Sequence, residues 1–114
     1  MSRISTHVLD TARGAPARDV NVRLERHTHS GEWQIVGTGR TDQDGRCTEL
    51  LPDGEKLSAG VYRLSFDTAN YFAVLGAHGL YPIVQVTFSV RDGETHFHIP
   101  LLLSPHGYTT YRGS

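Results

Sequence analysis

Apolar and polar residues alternate through most of the chain. A period of two marks a strand whose successive side chains point to opposite faces of a sheet. Over residues 5–10, Thr6 and Val8 share one face while His7 and Leu9 share the other. Val20, Val22 and Leu24 alternate with Asn21, Arg23 and Glu25, which predicts a second strand with one dry and one wet face. Residues 32–39, with Trp33, Ile35 and Val36, predict a third. Residues 61–66 predict a fourth with Tyr62, Leu64 and Phe66 on one side, and Val84, Val86, Phe88 and Val90 mark a fifth. In a sixth, Thr95, Phe97, Ile99 and Leu101 oppose His96, His98 and Pro100.

Turn residues punctuate these runs: His29-Ser30-Gly31, Asp42-Gln43-Asp44-Gly45, Pro52-Asp53-Gly54 and Arg91-Asp92-Gly93,. Arg91-Asp92-Gly93-Glu94 predicts a hairpin loop between the fifth and sixth strands. The one predicted helix covers residues 68–75, with Asp67 or Thr68 capping its first turn and Gly76 ending it. Pro100 removes a ladder donor and points to a sheet edge or a bend. Short strands with such punctuation predict an all-β sandwich or barrel.

Length and composition narrow the picture. A chain of 114 residues is the size of one domain, here 1–114, and is long enough to bury a core without disulfides,. With 38% hydrophobic and 20% charged residues it is neither a disordered chain nor a membrane-spanning one,. Eleven Lys+Arg against twelve Asp+Glu leave a charge of −1, which argues against nucleic-acid binding,. No apolar run approaches the roughly 20 residues of a bilayer helix, and no apolar signal region opens the chain. Together with the single Cys47, read as a buried structural thiol, this predicts a cytoplasmic protein,.

The chain carries seven histidines, four of them in the His-X-His pairs His27/His29 and His96/His98. On a strand, His96 and His98 share a face while Phe97 and Ile99 take the other, and the core claims the second pair. His7 likewise opposes the apolar face of its own strand. If the two strands are neighbours, His7 and His98 converge. Three readings fit: solvated surface histidines, a metal site fed by the His-X-His pair, and general base catalysis with an arginine to polarise a carbonyl. Spacing alone does not choose among them. Arg46, out of context, closes a turn. Ser104 and Ser114 lack the Gly-X-Ser-X-Gly setting of a serine hydrolase.

Three separated motifs add a resemblance. The ending Tyr111-Arg112-Gly113-Ser114, the opening Thr6-His7-Val8-Leu9-Asp10-Thr11 and the central Thr41-Asp42-Gln43-Asp44-Gly45-Arg46 resemble the 5-hydroxyisourate hydrolases, the transthyretin-related proteins of purine breakdown. The resemblance runs in order over essentially the whole chain. It implies a transthyretin-like β-sandwich of two four-stranded sheets with one short helix. It also implies a homotetramer, a dimer of dimers, with active sites where the dimers meet. The implied catalytic residues are His7, Arg46 and His98, and the implied substrate-binding residues are Tyr111, Arg112 and Ser114. The implied reaction is hydrolysis of 5-hydroxyisourate to 2-oxo-4-hydroxy-4-carboxy-5-ureidoimidazoline, with no cofactor and no metal. Two other functions share the fold or the histidines: a small-molecule carrier using the inter-dimer channel, and a zinc module built on His7, His96 and His98.

Overall fold

The computed structural model describes residues 2–114. Along them run β1 (Arg3–Asp10), β2 (Ala15–Pro16), β3 (Asn21–His27), β4 (Trp33–Arg40), β5 (Arg46–Cys47), β6 (Gly60–Phe66), α1 (Thr68–Val74), β7 (Val84–Val90), β8 (His96–Ser104) and β9 (Gly107–Thr110). The strands form two sheets. One has the order β4-β3-β6-β7, and the other has the order β2-β1-β8-β9 with β5 also on β1. The second sheet thus has five strands rather than the expected four. The two-residue strands β2 and β5 share the edge of β1 that β8 leaves free, and segments that short carry no periodicity to read.

The sheets are held face to face by the apolar half of each alternation. Ile4 and Val8 of β1 and Phe97, Ile99, Leu101 and Leu103 of β8 are buried against Val22, Leu24, Tyr62, Leu64, Phe66 and Val84 of the opposite sheet. Each such side chain contributes about 1.5–3 kcal/mol on removal from water. Polar groups on the inner faces are paired: Thr6 Oγ1 donates to the Ile99 carbonyl at 2.6 Å, and Tyr71 Oη donates to Asp10 Oδ2 at 2.7 Å. Cys47 is buried and free. α1 begins where Asp67 accepts from the Asn70 amide and ends at Gly76, whose φ of +70° a side chain would disfavour,.

Three local expectations fail for long-range reasons. Arg91-Asp92-Gly93-Glu94 does turn, with the Glu94 amide donating to the Arg91 carbonyl, but it carries the chain from one sheet to the other and is not a hairpin. Turn chemistry is the same in both cases; the partner of the next strand is not. Pro100 is interior rather than at an edge, because β8 lies between β1 and β9. It stands between the rung Leu101↔Thr110 and the bridge His98↔Gly113, where the ladder is interrupted and the missing N–H is not needed,. Its carbonyl accepts from Thr110 Oγ1 at 2.8 Å. Glu25, placed on a wet face by alternation, is only 4% exposed. Arg63 covers it with two hydrogen bonds of 3.1 and 3.0 Å, and Ser65 Oγ donates to it at 2.8 Å.

Candidate active site

β1 and β8 run parallel and in register from Arg3↔His96 to Asp10↔Leu103. The alternation that buries Ile4 and Phe97 therefore turns Ser5, His7, His96 and His98 to the outer face of the five-stranded sheet. Ser5 and His98 are register partners, and Ser5 Oγ lies 2.8 Å from His98 Nδ1. His7 is two residues further along the same face.

Arg46 reaches this face through the turn before it. The Asp42 carboxylate accepts from the amides of Asp44 and Arg46, each at 2.9 Å, and Gly45 takes a φ of +77°. A Cβ on Gly45 would lie 2.3 Å from the Val8 carbonyl oxygen, so only glycine lets the turn press on β1,. The Val8 amide donates to the Gly45 carbonyl, and Arg46 becomes the register partner of His7. His7 Nε2 lies 2.8 Å from the Asp44 carbonyl oxygen.

The carboxyl terminus supplies a further wall. The Gly113 amide donates to the His98 carbonyl at 2.7 Å, and a Cβ on Gly113 would come within 2.5 Å of His98 Cδ2. A cleft of about 440 Å³ results, lined by Arg3, Ser5, Arg46, His96 and His98 on the sheet, by Thr48 just after β5, and by Gly113 and Ser114 from the tail. A larger cleft, of about 700 Å³, lies on the other sheet between Arg23, Arg40 and Ile83. It has no imidazole, so acid–base chemistry near neutral pH belongs to the smaller one.

Electrostatics favour a neutral His98. Burial pushes its pKa below the ordinary histidine value, and the charges of His7, Arg46 and Arg3 push it the same way,. An unprotonated imidazole beside a guanidinium can accept a proton or donate one N–H while the guanidinium holds an anionic oxygen. Among the described residues no three His, Cys, Asp or Glu side chains stand close enough together to hold a metal ion, so His7, His96 and His98 do not form the zinc arrangement.

The fold thus brings Arg46, His98 and Ser114 to one cleft, with His7 beside Arg46 on the same face. Tyr111 is 55% exposed and does not line the cleft. Arg112 turns to the other side of β8, where it meets Glu94, Phe97 and the His96 carbonyl. Sequence reasoning passed over Ser5, Thr48 and Arg3. Ser5 and Arg3 were findable, since both share the His7 face by alternation; Thr48 carried no signal.

A model of the HIUase/transthyretin family matches residues 4–113. The chain belongs to this family. Among its HIUase/transthyretin relatives, the 5-hydroxyisourate hydrolase of Mus musculus is 45% identical over 114 residues, covering 99% of this chain and 96% of the mouse protein. That of Ralstonia nicotianae is 42% identical over the full length of both. The structure of Klebsiella pneumoniae 5-hydroxyisourate hydrolase superposes with a TM-score of 0.84 at 36% identity, over 99% of this chain and 100% of that one. Sea bream transthyretin in complex with thyroxine superposes with a TM-score of 0.89 at 33% identity, over 96% and 93%. The all-β transthyretin-like sandwich with one short helix is therefore this protein's fold. No helix among the described residues is long and apolar enough to cross a membrane.

Proposed function

We propose that this protein is an enzyme of purine catabolism, hydrolysing 5-hydroxyisourate to 2-oxo-4-hydroxy-4-carboxy-5-ureidoimidazoline. The observation that carries the reading is the gathering of His7, Arg46, His98 and the Ser114 terminus on one sheet face, in a chain 45% identical to a hydrolase of that name. Acyl hydrolysis of a planar ring amide needs a base for water, a donor for the developing oxyanion and a proton for the departing nitrogen. The imidazoles of His7 and His98 supply the acid–base groups, Arg46 supplies the charge, and Ser114 holds a further carbonyl of the ring. No cofactor or metal enters this scheme.

The cleft is open to solvent in the single chain, and closing it strengthens every charge interaction inside. A homotetramer, a dimer of dimers with the cleft at the dimer–dimer interface, accomplishes this, and exposed Tyr111 belongs to the part of the pocket that association completes, while Arg112 holds the tail in place from behind. The reading keeps the whole chain, 1–114, as one hydrolase domain in the cytoplasm, in keeping with its one free thiol.

The test follows loss of 5-hydroxyisourate by ultraviolet absorbance against its spontaneous decay. Acceleration by the purified protein is expected, and decay at the background rate would overturn the reading. A second reading, a small-molecule carrier, rests on the likeness to the thyroxine-bound sea bream protein. It requires tight thyroxine binding in a direct titration, whereas the polar side chains of this face favour the hydrolase.

A further inference from the structure

The two imidazoles of the site are held differently, and the difference assigns their protons. His7 Nε2 faces the Asp44 carbonyl oxygen at 2.8 Å. A carbonyl only accepts, so Nε2 carries the hydrogen, and in the neutral ring Nδ1 keeps the lone pair. His98 meets a hydroxyl instead. Ser5 Oγ is 2.8 Å from His98 Nδ1, and a hydroxyl can either donate or accept,.

Two features decide its direction. An sp² ring nitrogen is a better acceptor than a hydroxyl oxygen, so the pair is stronger with the serine donating. Among the described residues Ser5 Oγ also has no other hydrogen-bond partner to receive its proton. The ring is pinned on its other edge as well, because Cδ2 packs against Gly113 where even one methyl group would collide. With Nδ1 and Cδ2 both engaged, the Nε2 end is the part of the ring left for the cleft that His98 lines.

We infer that Ser5 is a positioning residue: its hydroxyl donates to His98 Nδ1 and keeps the ring proton on Nε2. His98 is then a neutral hydrogen-bond donor to the substrate carbonyl, and His7 is the general base through Nδ1. The inference rests on the hydrolase reading. In the resulting step, His7 Nδ1 takes a proton from water as the water oxygen bonds to the ring carbonyl carbon. The carbonyl π pair moves onto its oxygen, held by His98 Nε2–H and Arg46. When that oxyanion collapses, the carbon–nitrogen bond breaks, and the His7 imidazolium returns its proton to the departing nitrogen. Water is the only co-reactant, and the new carboxyl group ionises to solvent.

Ser5 lies on the outer face and is only half-buried, so its side chain can be changed without opening the core. The experiment records two-bond ¹⁵N–¹H correlations of the His98 ring at neutral pH in the labelled wild-type protein, in Ser5→Ala and in Ser5→Thr. It also measures kcat and KM for each. In the wild type Nδ1 is expected to be unprotonated and Nε2 protonated. Ser5→Ala is expected to blur that pattern into a tautomer mixture and to lower kcat about tenfold with KM little changed; Ser5→Thr restores both. A wild-type proton on Nδ1, or a Ser5→Ala protein with undiminished kcat, overturns the inference. The spectrum is read on free protein, so a chain inactive toward 5-hydroxyisourate would still report its His98 tautomer, and the two failures remain distinct.

Discussion

Arg112 lays its guanidinium 4.4 Å over the ring of Phe97, on the side of β8 opposite to His98. From there Nη1 donates to Glu94 Oε2 at 3.1 Å and Nη2 donates to the His96 carbonyl at 3.3 Å. The next residue, Gly113, is the one that packs on His98. Within one chain, Arg112 therefore acts as the anchor of the tail.

Removing that anchor should loosen the wall beside His98. Arg112→Ala is expected to lower stability by about 0.5–1 kcal/mol, the scale of an exposed cation–π contact, and to reduce kcat. Glu94→Gln should reproduce part of the loss in kcat although it never meets substrate. Denaturant unfolding and steady-state kinetics on both variants check this; a fully active Glu94→Gln would show that the ion pair is dispensable.

Arg46 separates catalysis from folding. Its side chain is exposed and its backbone, not its guanidinium, closes the turn with Asp42. Loss of an oxyanion donor typically costs about 10²–10³ in turnover. Arg46→Ala should therefore fall by that order in kcat while its thermal midpoint stays within a few degrees of the wild type. A variant with near-wild-type turnover would remove Arg46 from the chemistry.

The pH dependence follows from His98. Burial first, then the charges of His7, Arg46 and Arg3, hold its pKa below the ordinary 6.5. The folded chain thus binds this proton less readily than the unfolded chain. Its contribution to stability is complete above the ordinary value and declines as pH falls from there towards the folded value. The His98 ring should therefore stay neutral into mildly acidic solution. Arg3→Gln should raise the His98 midpoint in an NMR titration, and an unchanged midpoint would show that Arg3 has no electrostatic hold on the ring.

Glu25 sets an acid limit of another kind. The Arg63 hydrogen bonds, against the opposing effect of burial, hold its pKa below the ordinary 4.5. The stability this supplies is present above that value and is lost as pH falls through the folded pKa. Glu25→Ala leaves Arg63 facing a vacancy and should cost about 3 kcal/mol in urea unfolding at pH 7, the low end for breaking a buried pair, because Arg63 keeps some contact with water,. A much smaller cost would mean that Arg63 finds water as good a partner.

The strands, their inward faces and the capped helix were legible because each depends on residues a few positions apart. Period-two alternation in β1 and β8 was enough to say that His7 and His98 point away from the core, and Asp67 and Gly76 marked the helix ends. The family resemblance rested on contiguous motifs and was legible for the same reason. What tertiary structure alone decided involves partners far along the chain. Which sheet β8 joins after the Arg91–Glu94 turn, the burial of Glu25 under β6 side chains and the place of Pro100 within a sheet all depend on strands that local sequence does not specify. The same holds at the site. Ser5 reaches His98 across 93 positions, and Arg46 meets His7 only because a glycine turn fits against the Val8 carbonyl. Side-chain direction is a local property of the backbone, whereas side-chain company is set by how the strands pair, and that pairing is fixed by burial over the whole molecule.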